Sequence, residues 1–271
     1  MRIKGKFDEL QKIRSFKESI PDWLDELGVK ELGENVWNDE ITALNKQADV
    51  VLRTNTLKTS KTNLQKKLAE EGIETIFIDG YTDALKLVER ANVFRTKCFK
   101  DGLFEVQDAS SQLVADFLEV KSRMRVIDTC AGAGGKTLHL ASLMENKGQI
   151  IACDIYESKL KKLKIRTRRA GDFNITTKVI ESSKVMKKMK NTANRVLIDA
   201  PCSGIGVLKR NPDSKWKLQP EFIENIKKTQ AEILENYADL VKNGGQLVYA
   251  TCSILPSENA NQVTKFLTHH P

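Results

Sequence analysis

The sequence predicts an α/β protein: a doubly wound, Rossmann-like parallel sheet preceded by a smaller α+β domain. Three observations predict it. Beyond about residue 104, short apolar runs alternate with amphipathic stretches of helical length, the pattern of βαβ units. Arg125 to Asp154 reads as one complete unit: Val126-Ile127 runs into Asp128, a glycine turn follows, then a periodic stretch through Leu138, Leu140, Ala141, Leu143 and Met144, and then Ile150 to Asp154. Finally, 271 residues suffice for one large domain or two modest ones. The expected division is residues 1–104, a helical segment with a small α+β domain, and residues 105–271, the doubly wound domain.

Along the chain, residues 1–48 read as helical and irregular. Pro21 or Asp22 opens a short helix, and Ile41, Leu44 and Ala48 keep helical spacing, with Trp23 and Trp37 as core anchors. Val50 to Leu57 is rich in β-branched residues and predicts a strand. Thr62 to Glu71 predicts a helix stopped by Gly72, and Ile73 to Ile78 a second strand. Leu85 to Glu89 and Phe104 to Val106 add further strand, and Arg53 and Asn55 are candidates for polar contacts. Val106 to Leu118 is a helix with Asp108 at its cap. After the βαβ unit comes a basic helix ending at Gly171, and strands follow at Thr176–Ile180 and Arg195–Asp199. A helix over Glu221–Val241, a turn at Gly244-Gly245, a fifth strand Gln246–Thr251 and a helix over Glu258–Leu267 complete the chain.

Composition bounds the function. At 40% hydrophobic and 30% charged, the chain is ordinary for a globular protein. No run of about 18 apolar residues exists, so no membrane span is expected. Met1-Arg-Ile-Lys-Gly-Lys6 has no apolar core behind it, so it is not read as a secretory signal. Cys98, Cys130, Cys153, Cys202 and Cys252 lie far apart, which argues against a zinc site and a disulfide framework. A cytoplasmic monomer without metal is expected. The net charge is +8, with 26 basic against 19 acidic residues after residue 100 but 18 against 17 before it. The excess includes Lys159–Arg169, Lys184–Lys190 and the segment with Lys209, Arg210, Lys215 and Lys217. A run of charge can simply be a solvated helix face, but next to a chemical motif it suggests a polyanionic partner.

The glycine turn is where an open parallel sheet binds its ligand. A phosphate-binding loop requires glycine where Cys130 stands, and a dinucleotide fingerprint requires glycine where Thr137 stands. S-adenosylmethionine (SAM) has no phosphates; it needs room beside the turn and an acid on the next strand for its ribose, and Asp154 is placed for that. SAM is thus favoured over a nicotinamide dinucleotide, with a turn that binds nothing as the bland alternative.

Cys202 and Cys252 each fall just past a predicted strand, each followed by serine. A thiol beside a methyl donor suits one reaction in particular. Carbon-5 of a pyrimidine is a poor nucleophile until a thiolate adds at C6; C5 then takes a methyl group, and loss of its proton expels the cysteine. Asp199 is a candidate either for the cytosine amino edge or for the SAM. The residues alone do not rank the two thiols.

Asp128-Thr-Cys-Ala-Gly-Ala-Gly-Gly-Lys-Thr137, Asp199-Ala-Pro-Cys-Ser-Gly204 with Arg210-Asn-Pro-Asp213, and Tyr249-Ala-Thr-Cys-Ser253 with Pro256-x-Glu258-Asn259 resemble the Nop/Sun family of SAM-dependent RNA cytosine-C5 methyltransferases, which includes the bacterial Fmu/Sun ribosomal RNA enzymes. The resemblance runs from about residue 50 to the end. It implies an enzyme that methylates a cytosine of ribosomal RNA, or of transfer RNA. It implies Cys252 as nucleophile and Cys202 as the thiol that assists product release. SAM contacts are implied for Cys130, Ala131, Gly132, Ala133, Gly134, Gly135, Lys136, Asp154 and Asp199. The first domain would be the family's small RNA-binding module.

Three departures stand out. Where the family has an acid near the adenine, this chain has Glu181-Ser182-Ser183, with Ser183 or Glu181 expected to substitute. The extra helical RNA-binding domain that often opens bacterial members is not expected from this sequence. The family's final β-hairpin would follow Pro271, so a truncated sequence with an unpaired strand edge is expected. Two other classes compete: a non-catalytic SAM- and RNA-binding ribosome-assembly factor, and a nucleotide-dependent oxidoreductase on the same fold.

Overall fold

The computed structural model describes residues 2–270. The chain opens with helices α1 (Arg2–Leu10), α2 (Arg14–Lys17), α3 (Asp22–Leu32) and α4 (Glu34–Leu44). Then come β1 (Val51–Thr54), α5 (Lys61–Glu70), β2 (Thr75–Phe77), β3 (Ala84–Leu87), α6 (Lys97–Lys100) and β4 (Phe104–Val106). The second half runs α7 (Ala109–Phe117), β5 (Arg125–Asp128), α8 (Gly135–Leu143), β6 (Gln149–Asp154), α9 (Glu157–Ala170), β7 (Ile175–Val179), α10 (Ser183–Lys187) and β8 (Ala193–Asp199). It closes with α11 (Ser214–Lys217), α12 (Pro220–Ala238), β9 (Val241–Ala250) and α13 (Ala260–His269).

The chain divides into two compact units, one of Asp49–Asp199 with Asn236–Ala250, the other of Met1–Ala48, Ala200–Glu235 and Thr251–Pro271. These lines differ from a single cut at 104/105.

The first unit contains both sheets. Its four-stranded sheet has the order β2-β3-β1-β4, with every pairing antiparallel. Leu64 and Leu68 of α5 are fully buried with Leu52, Leu85 and Phe104. Ser60 caps α5 by accepting the Asn63 N–H at 3.2 Å, which places its start one residue before the predicted one. The five-stranded sheet is parallel throughout, with the order β7-β6-β5-β8-β9. It is doubly wound, as the alternation of elements predicts. Val126, Ile127, Ile150, Ala152 and Leu197 line its core with almost no exposure.

Two expectations change here. The strand at the sheet edge begins at Val241, so Gly244-Gly245 lies within β9 rather than before it. A register shift absorbs the pair: Ala193 faces Val241 while Arg195 faces Gln246. Asp108 stands at the N-cap of α7, but its side chain makes no capping hydrogen bond.

The second unit is built on one apolar cluster. Ile20, Leu24, Trp37, Ile41 and Leu44 pack with Ile205, Leu208, Ile223 and Leu255. Trp37 is fully buried, as expected of a core anchor, and its indole N–H donates to Asp25 Oδ1 at 2.7 Å.

Candidate functional site

The glycine turn follows β5, the central strand of the parallel sheet. Gly134 is the N-cap of α8 with φ 91°, a conformation that glycine adopts without cost. Asp154, at the end of β6, holds the turn: its Oδ2 accepts the Gly132 N–H at 2.9 Å and its Oδ1 the Tyr156 N–H at 2.8 Å. The predicted ribose acid therefore also shapes the loop, and each oxygen keeps a second lone pair. Nothing stands within 4 Å of where a Cβ would lie on Gly132 or Gly135, so the turn faces open space there. Cys130 and Ala133 are half-buried and Ala131 is buried.

Lys136 and Asp199 meet: Lys136 Nζ donates to Asp199 Oδ2 at 2.7 Å. They lie on α8 and at the end of β8, and both are partly accessible. Ser183 is exposed at the first position of α10, and Glu181 is exposed as well.

Charged side chains from the small sheet brace the turn from beneath. Arg53 of β1, buried at 2% exposure, donates to the Gly135 carbonyl at 2.6 Å and to Gln107. Arg166 of α9 donates to the Ala133 carbonyl at 2.9 Å and to Glu105 of β4 at 2.9 Å, and Arg169 also binds Glu105, at 2.5 Å. Burial lowers the Arg53 pKa to about 10, opposed by Glu105. Arg53 and Asn55 make polar contacts, as their residue types suggest, and make them inside the protein; Asn55 Nδ2 donates to the Gly102 and Ala170 carbonyls at 2.8 Å each. The basic segments, by contrast, are not wholly solvent-facing. Arg166 and Arg169 are internal partners rather than members of a solvent-facing basic face. Lys215 is buried as well, with its ammonium on the Glu18 carbonyl and Asn45 Oδ1. The other lysines of α9, Lys159, Lys161, Lys162 and Lys164, are exposed opposite the buried stripe Leu160, Leu163 and Thr167.

The two thiols meet in the other unit. Asp199 faces Ala250 across the β8–β9 pair. Cys202 follows three residues after the first and Cys252 two after the second. Their Sγ atoms lie 3.1 Å apart, neither cysteine is in a disulfide, and the Cys252 N–H donates to Cys202 Sγ at 3.3 Å. Cys252 is exposed and Cys202 half-buried. Gly206 permits the close approach: its N–H donates to the Cys252 carbonyl at 3.0 Å, and a Cβ would stand 2.7 Å from that oxygen. The hydrogen bond with Cys252 pushes the Cys202 pKa up, and burial and the charge of Cys252 add to it. Burial likewise pushes Cys98, Cys130 and Cys153 to about 12, so these three remain protonated thiols.

Glu258 completes this cluster. It is fully buried and accepts hydrogen bonds from Ser203, Ser253 and Gln230. Its motif is visible in the sequence, but an acid at the start of a predicted helix gives no sign that it is buried. Among the described residues, no group of three or more His, Cys, Asp or Glu side chains could hold a metal ion. Nor is any described helix long and apolar enough to cross a membrane.

A parallel sheet in this order, with a glycine turn after its central strand, an acid ending the next, and paired thiols beyond two further strand ends, defines a Rossmann-like α/β protein of the methyltransferase class. The chain belongs to the RsmB/F family: the model for "16S rRNA methyltransferase RsmB/F" matches residues 115–271, and that for the "Methyltr_RsmF/B-like, ferredoxin-like domain" matches residues 20–94. It is 37% identical over 256 residues to a "Probable ribosomal RNA small subunit methyltransferase B" of Synechocystis sp., covering 93% of this chain and 57% of that protein. A Bacillus subtilis protein described in the same words is 38% identical over 221 residues, covering 81% and 49%. The chain thus spans about half the length of the curated relatives it matches. Among solved structures it is similar to that of PH0851, with a TM-score of 0.91 and 34% identity over 97% of this chain and 59% of that one.

Proposed function

We propose that the chain is an RNA (cytosine-C5)-methyltransferase that modifies a cytosine of small-subunit ribosomal RNA through a covalent bond between Cys252 Sγ and C6 of the base. One observation carries this reading: two cysteine thiols, not joined in a disulfide, lie 3.1 Å apart, one exposed and one half-buried. The relatives' names supply the RNA class.

The residues around the turn fit SAM. The open space at Gly132 and Gly135 leaves room for a ligand, Asp154 keeps lone pairs for ribose hydroxyls, and Cys130 to Lys136 offer backbone at close range. Bound there, SAM would supply a sulfonium-activated methyl group. The rest is work for the chain. Cys252, exposed, adds as thiolate to C6 and makes C5 nucleophilic. Cys202 keeps its proton and offers it as a hydrogen bond to its neighbour, which favours the thiolate on Cys252 rather than on itself. Asp199, already engaged by Lys136, retains acceptor capacity for the cytosine amino edge. After methylation, loss of the C5 proton re-forms the C5–C6 double bond and releases Cys252. The target base must stand clear of its stack, because C6 is attacked from above the ring.

Cys252→Ala should abolish methylation, read by bisulfite sequencing of ribosomal RNA. Cys202→Ala should leave a protein–RNA adduct that survives a denaturing gel. Normal methylation by both variants would overturn the thiol mechanism.

A further inference from the structure

Glu258 has no chemical step to perform in the methyl transfer, yet it is 0% exposed. A buried carboxylate is costly unless its oxygens are engaged. Here both are. Ser253 Oγ donates to Oε1 at 2.6 Å, and Ser203 Oγ donates to the same oxygen. The Ser203 N–H donates to Oε2 at 2.8 Å and Gln230 Nε2 to the same oxygen at 2.9 Å. These donors share one property, which is that they flank the thiols. Ser203 follows Cys202, Ser253 follows Cys252, and Gln230 Nε2 also donates to the carbonyl of Pro201, just before Cys202, at 2.9 Å. The next residue, Asn259, grips the same loop from outside, with Nδ2 on the Ser253 carbonyl at 2.8 Å and on the Leu255 carbonyl at 3.1 Å.

We propose that Glu258 is the positioning residue of the thiol pair: one buried anion ties the loops behind both cysteines to a single point and so fixes the separation of Cys202 Sγ and Cys252 Sγ. An apolar side chain of the same volume would fill the space but would leave the two loops untied. The purpose of the device rests on the methyltransferase reading, but its test does not.

The test uses disulfide closure in the full chain, without RNA, as a ruler. With oxidised glutathione, the Cys252 thiolate displaces one glutathione to form a mixed disulfide. The Cys202 thiolate then displaces the second glutathione and closes a Cys202–Cys252 bond. Mass spectrometry follows both steps, and the second depends on how often the sulfurs meet. E258A should slow closure by about 10- to 100-fold, the scale set by displacing a reacting group by about 1 Å. E258Q keeps one acceptor oxygen and should fall between E258A and the parent chain. S203A and S253A leave the carboxylate in place and cut one tether each; both should slow closure, and they decide the matter should E258A fail to fold. Closure at the parental rate in folded E258A, or in both serine variants, would overturn the proposal even where methylation proceeds. Conversely, methylation by Cys252→Ala would defeat the covalent-thiol reading and leave the closure result intact.

Discussion

Single side chains in this molecule are set by burial more than by charge. Asp128, at the head of the glycine turn, is 1% exposed; burial raises its pKa to about 7, against the hydrogen bond from Thr137 Oγ1 at 2.7 Å. Asp172 is pushed to about 7 as well, again first by burial, and both its oxygens are buried without a hydrogen-bond partner. For both, the folded state holds its proton more tightly than the unfolded chain, whose carboxyl titrates near 3.8. Their contribution to stability is therefore complete below about 3.8, declines as pH rises, and is gone above about 7. Asp128→Asn removes one of these titrations, so it should gain melting temperature relative to the parent between pH 4 and pH 8. A difference that stays constant over that range would mean that Asp128 titrates as an exposed carboxyl. Little of this is legible in the sequence. The residue types of the site could be read, because glycine, cysteine and acid at strand ends are chosen by chemistry. The burial of Glu258, Lys215 and Arg53 could not, because it depends on what distant segments place over them.

At the scale of elements, the small sheet supports the cofactor turn. Glu105 of β4 holds Arg166 and Arg169 of α9, and Arg166 in turn holds the Ala133 carbonyl. Removing one partner of a buried ion pair leaves the other charge uncompensated, at about 3–5 kcal/mol. Glu105→Ala should therefore lower stability in urea by about 3 kcal/mol, somewhat less than the buried limit because the arginines keep some solvent. The same change should weaken SAM binding by calorimetry while leaving the reactivity of Cys252 toward iodoacetamide unchanged. SAM binding at parental strength would show that the turn stands without this brace. The parallel strands and α9 are foreseeable because their periodicities are long and regular, and Gly171 stops α9 with φ 83° where the sequence places the stop. In the small sheet β4 spans the predicted Phe104–Val106, but β1, β2 and β3 come out shorter than their predicted runs, since pairing partners rather than composition decide where a ladder ends. The glycine pair of β9 misleads for the same reason: a register shift beside β8 cannot be seen in one strand's own residues.

For the whole molecule, the net charge of +8 leaves a cationic surface even after Arg53, Arg166, Arg169 and Lys215 are spent on internal contacts. Affinity for ribosomal RNA should then fall linearly on a logarithmic plot against salt, by about 0.7 per phosphate contact if the target is single-stranded. A binding curve indifferent to salt would remove the electrostatic footprint. The cluster that joins Ile20, Leu24, Trp37, Ile41 and Leu44 to Ile205, Leu208, Ile223 and Leu255 has a consequence for biosynthesis. The apolar stripes of α3 and α4 emerge from the ribosome early, while their covering residues are synthesised some 200 positions later. At about 5–20 residues per second, those stripes wait roughly 10–40 seconds with their oily faces bare. Nascent chains of this protein should accordingly lean on a holding chaperone until Leu255 has cleared the exit tunnel.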